Sequence, residues 1–330
     1  MSLRVAVLLV FLVSIVCSAM KINRTPLVTD ELVAKINSLP GNTWTATTKP
    51  GLRIDGATVE QIKNLLGVRR PIKKVLAPRV FTSAENLKVV PTSFDSATQW
   101  PNCPTITNIR DQSACGSCWA MGAAEAMSDR YCIGNIHTNL EISAANLMEC
   151  CWYCGNGCNG GDPDSAWKYW VSTGLVSSSC QPYPFPKCEH HIPQEHYPPC
   201  PSATYPTPSC QSGSCSNASA QPTIYKGSSS YSLSGEDSFQ REVMTNGPIE
   251  VAFDVYEDFL AYKSGVYIQT SEQLLGGHAV RLVGWGELNG VNYWKIANSW
   301  NTDWGMEGYF LIRRGTDECG IEDSGSAGLA

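Results

Sequence analysis

Little in this 330-residue chain is continuously apolar, and no stretch reaches the ~20 residues that a helix needs to cross a bilayer. The longest apolar run, residues 5–16, falls short of that length. It follows Arg4 and ends at the small residues Cys17-Ser18-Ala19, the pattern of a secretory signal peptide cut after Ala19 (residues 1–19). No membrane span is therefore expected in the mature form. Charged residues are also sparse, at 16 % against 43 % hydrophobic, and no long tract is polar enough to stay disordered. Such a chain can bury a large core or two subdomains. Apart from Arg69-Arg70 and Lys73-Lys74 the basic residues are dispersed, which argues against the footprint of a nucleic-acid-binding surface. Histidine is scarce: there are five, and three of them, His190, His191 and His196, lie between Cys188 and Cys200.

Cysteine, by contrast, is plentiful. Fifteen in a secreted chain imply an oxidising compartment and a disulfide framework. Cys17 leaves with the signal. If one of the remaining thiols is reserved for chemistry, an odd number is left, so a second thiol must also stay unpaired. Cys319, far along the chain from the dense group between Cys103 and Cys215, is the candidate, and six bridges follow.

Charge is divided unevenly. Residues 20–89 carry twelve Lys and Arg against five Asp and Glu, a net +7, whereas residues 90–330 carry eleven against twenty-five, a net −14. The basic leader is expected to dock on the acidic body, with an attraction that fades as acid protonates carboxylates.

The stretch that organises the chain is Gln112-Ser113-Ala114-Cys115-Gly116-Ser117-Cys118-Trp119, which runs into a helix-compatible series of Ala and Met. Small, turn-prone residues place Cys118 at a helix N-terminus, where the helix dipole favours a thiolate, the nucleophilic form. A base and a group to hold it lie downstream, in Gly276-Gly277-His278-Ala279-Val280 and Ile296-Ala297-Asn298-Ser299-Trp300.

In the leader, residues 30–39 place Leu32, Val33, Ile36 and Leu39 on one face of a short helix that stops at Pro40-Gly41. Thr58 to Gln61 read as a capping box for a second helix closed by Gly67. Two such helices cannot bury much surface alone and must pack on something else. Past the nucleophile, Cys150, Cys151, Cys154 and Cys158 are spaced closely enough for a zinc site, but the secreted context favours bridges. Residues 177–225 read as loops. After Ser228, the β-prone runs 249–256, 265–268, 279–285, 292–297 and 309–313 predict an antiparallel or barrel-like β subdomain.

Cys-Gly-Ser-Cys-Trp followed by Gly-His-Ala and Asn-Ser-Trp resembles the papain-like cysteine proteases. The loop at residues 188–200, with its His-His pair between two cysteines, narrows the resemblance to the cathepsin B subfamily, as does Asn42-Thr43-Trp44-Thr45-Ala46, which is similar to the tryptophan motif of that subfamily's propeptides.

The resemblance implies an α+β, papain-like fold of two subdomains, a helical left half and an antiparallel β-barrel right half, with the active site in the cleft between them. It implies an inhibitory propeptide at residues 20–89 and a catalytic domain at residues 90–330. In that domain Cys118 is the nucleophile, His278 the base, Asn298 the group that orients the imidazole, and Gln112 an oxyanion-hole donor. Gly160 and Gly161 would meet the substrate backbone, His190 and His191 its C-terminal carboxylate, and Trp300 would shield the His278–Asn298 bond. The disulfides implied are Cys103–Cys132, Cys115–Cys158, Cys150–Cys210, Cys151–Cys154, Cys180–Cys215 and Cys188–Cys200. No cofactor and no metal are called for. Partners would be peptide and protein substrates, the chain's own propeptide and cystatin-like inhibitors, with no nucleic acid, and the protein would be a monomer of the secretory pathway, delivered to the lysosome or endosome or secreted. Asn217, and Asn23 in the leader, sit in glycosylation sequons.

Two departures from the subfamily alter expectations. Ser324 stands where the subfamily has a glutamate that reads basic side chains in the second substrate pocket, so an apolar preference is expected there, with Asp323 next door as a possible substitute acid. The subfamily latches its loop by a His to Asp contact, here His190 to Asp111, and by an Arg to Asp contact. Asp303 matches the second acid, but residues 188–200 contain no Arg, and His196 is the nearest cation. Two other readings compete. A thiol–disulfide oxidoreductase would use Cys115 and Cys118, and an inactive homologue would only bind peptides.

Overall fold

The structure, a computed structural model, describes residues 26–69, 74–190, 196–211 and 214–330. The expected signal peptide, the Asn23 sequon and His191 lie outside these residues.

The leader forms α1 (Asp30–Asn37), β1 (Trp44–Ala46), α2 (Val59–Lys63) and α3 (Ser83–Asn86). The short strand β2 (Phe94–Asp95) and helix α4 (Ser96–Gln99) follow, and then α5 (Cys118–Ile133), α6 (Ala144–Cys150) and α7 (Pro163–Ser172). The last third holds β3 (Ser229–Leu233), α8 (Glu236–Asn246), β4 (Ile249–Tyr256), β5 (Tyr262–Tyr267), β6 (Leu274–Leu288), β7 (Val291–Ala297), β8 (Tyr309–Arg313) and β9 (Gly325–Leu329).

Local chemistry accounts for the leader helices. Thr29 accepts the Leu32 N–H at 3.1 Å to start α1, with Asp30 and Glu31 in the first turn and Lys35 in the last, each matched to the helix dipole. Thr58 and Gln61 cap α2 reciprocally. Gly67, however, does not close that helix. Asn64 is its C-cap, and the chain is drawn onward by the bond from the Val68 N–H to the Gly277 carbonyl, 3.0 Å.

Helix α5 is buried from Cys118 to Cys132 and has no polar face, so it serves as the central core helix. Its charged residues are paired inside. Arg281 of β6 meets Asp129 at 2.7 Å and Glu125 at 3.4 Å, and Arg130 meets Glu242 of α8 at 2.6 Å. These pairs cross from the helical half to the sheet half. Removing one partner would strand a buried charge, typically at a cost of ~3–5 kcal/mol, so they fix the register of the two walls.

The sheet runs β1-β5-β8-β7-β6-β4-β9-β3, with β2 pairing onto β6. This departs from the expected antiparallel barrel in two ways. The path is open, ending at β1 and β3, and β5 pairs β8 in parallel. The parallel pair arises because β6, β7 and β8 reverse direction twice, which returns β8 to the sense of β6. The strands β3 and β9, Ser-Ser-Tyr-Ser-Leu and Gly-Ser-Ala-Gly-Leu, have no β-branched residue and escape a propensity reading.

The leader is built into this frame. Strand β1 adds antiparallel to β5, and Trp44 sits 4 % exposed against Tyr262 and Tyr267, with its indole N–H on the Ile268 carbonyl at 3.0 Å. Trp44→Ala should therefore cost the docked leader about 3 kcal/mol. Hydrogen exchange reads this directly. The Val266 amide, bonded to the Thr43 carbonyl at 2.9 Å, should exchange about 100-fold faster, while Ile296 inside β7 keeps its protection.

Candidate active site

Cys118 opens α5 and is fully buried. On the facing wall, β6 carries His278, and the residue after β7 is Asn298. His278 Nε2 lies 2.8 Å from Asn298 Oδ1, while His278 Nδ1 is buried without a partner. With Oδ1 as acceptor, Nε2 carries the hydrogen, which leaves Nδ1 as the nitrogen able to take a proton. Ala279, the next residue along β6, packs in the same apolar cluster as Cys118 and Trp119. Trp300 covers the imidazole at 4.8 Å between ring centroids and is itself buried, so the His278–Asn298 bond is kept from water.

Gln112 is fixed from three sides. Its backbone N–H donates to the Ser299 carbonyl at 2.9 Å, its Oε1 accepts from the Ser299 hydroxyl at 2.7 Å, and its Nε2 donates to the Cys115 carbonyl at 2.8 Å. Ser299 thus ties Gln112 to Asn298, whose Oδ1 also accepts the Ser299 N–H at 2.8 Å. The sequence reading missed Ser299, although the residue stands in the middle of the Asn-Ser-Trp motif.

The cleft is occupied by the leader. Gln112 Nε2 also donates to the Leu65 carbonyl at 2.8 Å, the Gly67 N–H points at Cys118 Sγ at 3.2 Å, and the Gly67 carbonyl accepts the Gly161 N–H at 2.8 Å. The approach admits only glycine at this point. A Cβ on Gly67 would lie 1.8 Å from the Gly116 carbonyl oxygen. Gly160 and Gly161 are also close-packed, where a Cβ would lie 2.7 Å from the Gly67 carbonyl oxygen and 2.4 Å from the Trp119 ring.

Burial decides the protonation of the pair. It pushes the Cys118 thiol up to about 11, against the N–H groups of Ala279 and Gly67 that favour the thiolate, and it pushes His278 down to about 4, against the bond to Asn298. In this closed form both groups are neutral at pH 7.

The two acids assigned to the loop latch are held instead by consecutive leader residues. Asp111 pairs with Arg53, and Asp303 accepts the Leu52 N–H at 2.5 Å. His190 donates its backbone N–H to the Leu52 carbonyl at 3.1 Å, and its imidazole is pushed down to about 4, first by burial and then by Arg53. His196 donates its backbone N–H to Glu189 at 3.3 Å. Lys187, just outside the Cys188 to Cys200 loop, brings its Nζ within 3.1 Å of Asn301 Oδ1, two residues from Asp303. The loop reading overlooked that cation. Ser324 lines a cavity of about 550 Å³, with its hydroxyl buried and unpartnered. Asn217 is exposed, as a glycan acceptor must be.

Disulfides join Cys103–Cys132, Cys115–Cys158, Cys150–Cys210, Cys151–Cys154, Cys180–Cys215 and Cys188–Cys200. Cys118 and Cys319 are thiols. The four sulfurs of the candidate zinc cluster are thus spent in bridges. Cys115 is bonded away from Cys118, which removes the redox pair that an oxidoreductase would need.

Residues 90–329 match the family model described as papain family cysteine protease. Among curated relatives, cathepsin B-like cysteine proteinase 6 of Caenorhabditis elegans is 46 % identical over 317 residues, 91 % of this chain and 83 % of the relative. A cathepsin B-like cysteine proteinase of Schistosoma japonicum is 44 % identical over 91 % of this chain and 90 % of its own length. Among solved structures, procathepsin B S9 from Trypanosoma congolense superposes with a TM-score of 0.84 at 46 % identity, covering 92 % of this chain and 99 % of the other.

The contact between Gly67 and Cys118 makes a testable claim. Gly67→Ala cannot keep the backbone against Gly116, so the segment must lift from the sulfur. Iodoacetamide at pH 7 should then alkylate Cys118 at least about tenfold faster than in the unsubstituted chain, with mass spectrometry separating that adduct from one at Cys319. An unchanged rate would mean that Gly67 does not guard the thiol.

Proposed function

Because the chain belongs to the papain family of cysteine proteases and is a cathepsin B-like member of it, we propose that residues 20–89 are its inhibitory propeptide and that the structure is the closed precursor of a catalytic domain at residues 90–330. One observation carries this reading. What meets Cys118 Sγ is the N–H of Gly67, with the Leu65 carbonyl turned to Gln112. A donor faces the nucleophile where a substrate would present an electrophilic carbon, so the site is filled and no bond can be cut. The family model's start at residue 90 and the likeness to a procathepsin B along nearly all of that chain support the boundary.

Once the propeptide leaves, water and substrate return to the cleft. The Cys118 proton passes to His278, and the thiolate adds to a peptide carbonyl whose developing oxyanion is held by Gln112 Nε2 and the Cys118 N–H. The imidazolium protonates the leaving amine, and water then hydrolyses the thioester with His278 as base. Asn298 holds the ring throughout without adding charge. With Asp111 and Asp303 freed from Arg53 and Leu52, the loop at residues 188–200 can close on them. His190 and His191 then bind the substrate's C-terminal carboxylate, which adds peptidyl-dipeptidase to endopeptidase cleavage. Lysosomal or secreted residence, cystatin-like inhibitors and a monomeric state belong to the same reading.

Cys118 and His278 carry one proton between them in both forms, on sulfur when closed and on the imidazole when open. The pair itself therefore gives release no pH dependence. His190 does. Its pKa is about 4 when docked, against ~6.5 for an imidazole in water. The released form binds the extra proton between those values, so the docked form loses stability as pH falls from about 6.5 to about 4 and loses nothing further below that.

Acidification to about pH 4.5 should convert the inactive chain to a form that begins near Val90, cleaves fluorogenic dipeptide amides and takes one epoxide label, on Cys118. His190→Gln should reduce the acceleration between pH 7 and pH 4.5 by about tenfold. A folded chain that is active at full length, or one that never takes the label, would overturn the proposal.

A further inference from the structure

The turn that leads into the nucleophile, residues 112–117, is held by the two stretches of chain that flank the Cys188 to Cys200 loop. Before the loop, the Ser113 hydroxyl donates to the Pro186 carbonyl at 2.5 Å, and Tyr183 reaches both ends of the turn. After the loop, the Tyr205 N–H and the Thr204 hydroxyl each donate to the Ala114 carbonyl at 3.1 Å. The Phe185 and Tyr205 rings stack at 4.5 Å and 6° and join the two stretches, and Tyr183 packs edge-on to Phe185 at 5.4 Å.

Tyr183 is the member of this clasp that bears on the site. Its hydroxyl donates to the Gln112 carbonyl at 2.7 Å and lies 2.7 Å from the Ser117 hydroxyl. A phenol has one hydrogen, so Ser117 is the donor in the second bond. Burial pushes the Tyr183 phenol up, which keeps it protonated and donating. Gln112 is thereby fixed through its backbone from both walls. Its N–H goes to the Ser299 carbonyl at 2.9 Å, and its carbonyl is taken by Tyr183, which packs on the cluster of the helical half. At the other end, Ser117 is the N-cap of α5, where a serine oxygen ordinarily accepts an N–H of the first turn. No such cap bond forms, and the hydroxyl is given to Tyr183 instead. The peptide that follows Ser117 carries the Cys118 N–H. One phenol therefore spans the two groups assigned to the oxyanion, the Gln112 side chain and the Cys118 N–H.

We propose that Tyr183 is a positioning residue that sets the spacing between these two donors. It touches neither substrate nor the reacting atoms, and it acts through Gln112 and Ser117. The inference rests on the protease reading above and adds a residue to its machinery. A rigid spacing matters because donors aimed in advance at the developing charge need no reorganisation at the moment of reaction.

The test compares Tyr183→Phe with the unsubstituted enzyme. Phe keeps the ring and its packing on Phe185 and removes only the hydroxyl. Immobilised unsubstituted enzyme removes the leader from each, and an epoxide label on Cys118 counts competent sites, so a partial folding loss cancels. On a fluorogenic dipeptide amide, kcat should fall about tenfold with KM unchanged, short of the ~10²- to 10³-fold typical of losing an oxyanion donor outright. Alkylation of Cys118 by iodoacetamide uses the thiolate but builds no oxyanion, so its rate should stay within about twofold. In a Gln112→Ala background the same substitution should cost less than about twofold, because the donor that Tyr183 aims is gone. An unchanged kcat, a parallel fall in kcat and alkylation, or a tenfold loss that persists beside Gln112→Ala would each overturn the proposal. Any of these in an enzyme whose unsubstituted form cleaves the amide leaves the protease reading intact, whereas an unsubstituted form that cleaves nothing overturns both.

Discussion

Closing the cleft removes water from a thiol and an imidazole together, and the rest of the structure depends on how that closure is held. A thiolate–imidazolium pair is a charge separation, and neither charge survives easily in a dry interior without partners. With Gly67 over the sulfur and Trp300 over the ring, the neutral pair is the favoured one. On the proposed reading, the thiol is silenced by its surroundings. Cys118 and His278 sit on α5 and β6, which the buried pair of Arg281 and Asp129 ties together.

The leader holds the cleft shut by several unlike means, which gives it both strength and a route to release. Its strand β1 extends the sheet, Trp44 fills an aromatic slot, and Leu65 to Val68 use the backbone positions of the cleft. Leu52 and Arg53 take the acids Asp303 and Asp111. On the proposed reading, the loop at residues 188–200 claims those same two acids after release and so competes with the leader for them. Burial of His190 couples that competition to pH.

The grouping of Cys118, His278, Asn298 and Gln112 was legible in the sequence because the residues proposed for catalysis sit in short local words. Cys118 at a helix start, His278 in Gly-His-Ala and Asn298 in Asn-Ser-Trp each announce themselves within a few residues, and the capping box at Thr58 is equally local. The failures share a cause. Gly67 read as a helix stop because its reason for being glycine is a contact with Gly116, far along the chain. Arg53 and Lys187 acquire meaning only when the fold brings them to Asp111 and Asn301. The strands β3 and β9 carry no propensity signal, since their pairing is imposed by the sheet.

The most direct test is the protonation of His278 by ¹⁵N NMR at about pH 6 in the intact chain and in the acid-processed form. A neutral imidazole with its proton on Nε2 in the intact chain, turning to imidazolium when residues before Val90 are gone, would bear out silencing by burial. An imidazolium already present in the intact chain would contradict it, because the ion pair would then exist beneath the leader and exclusion of substrate alone would have to account for inhibition.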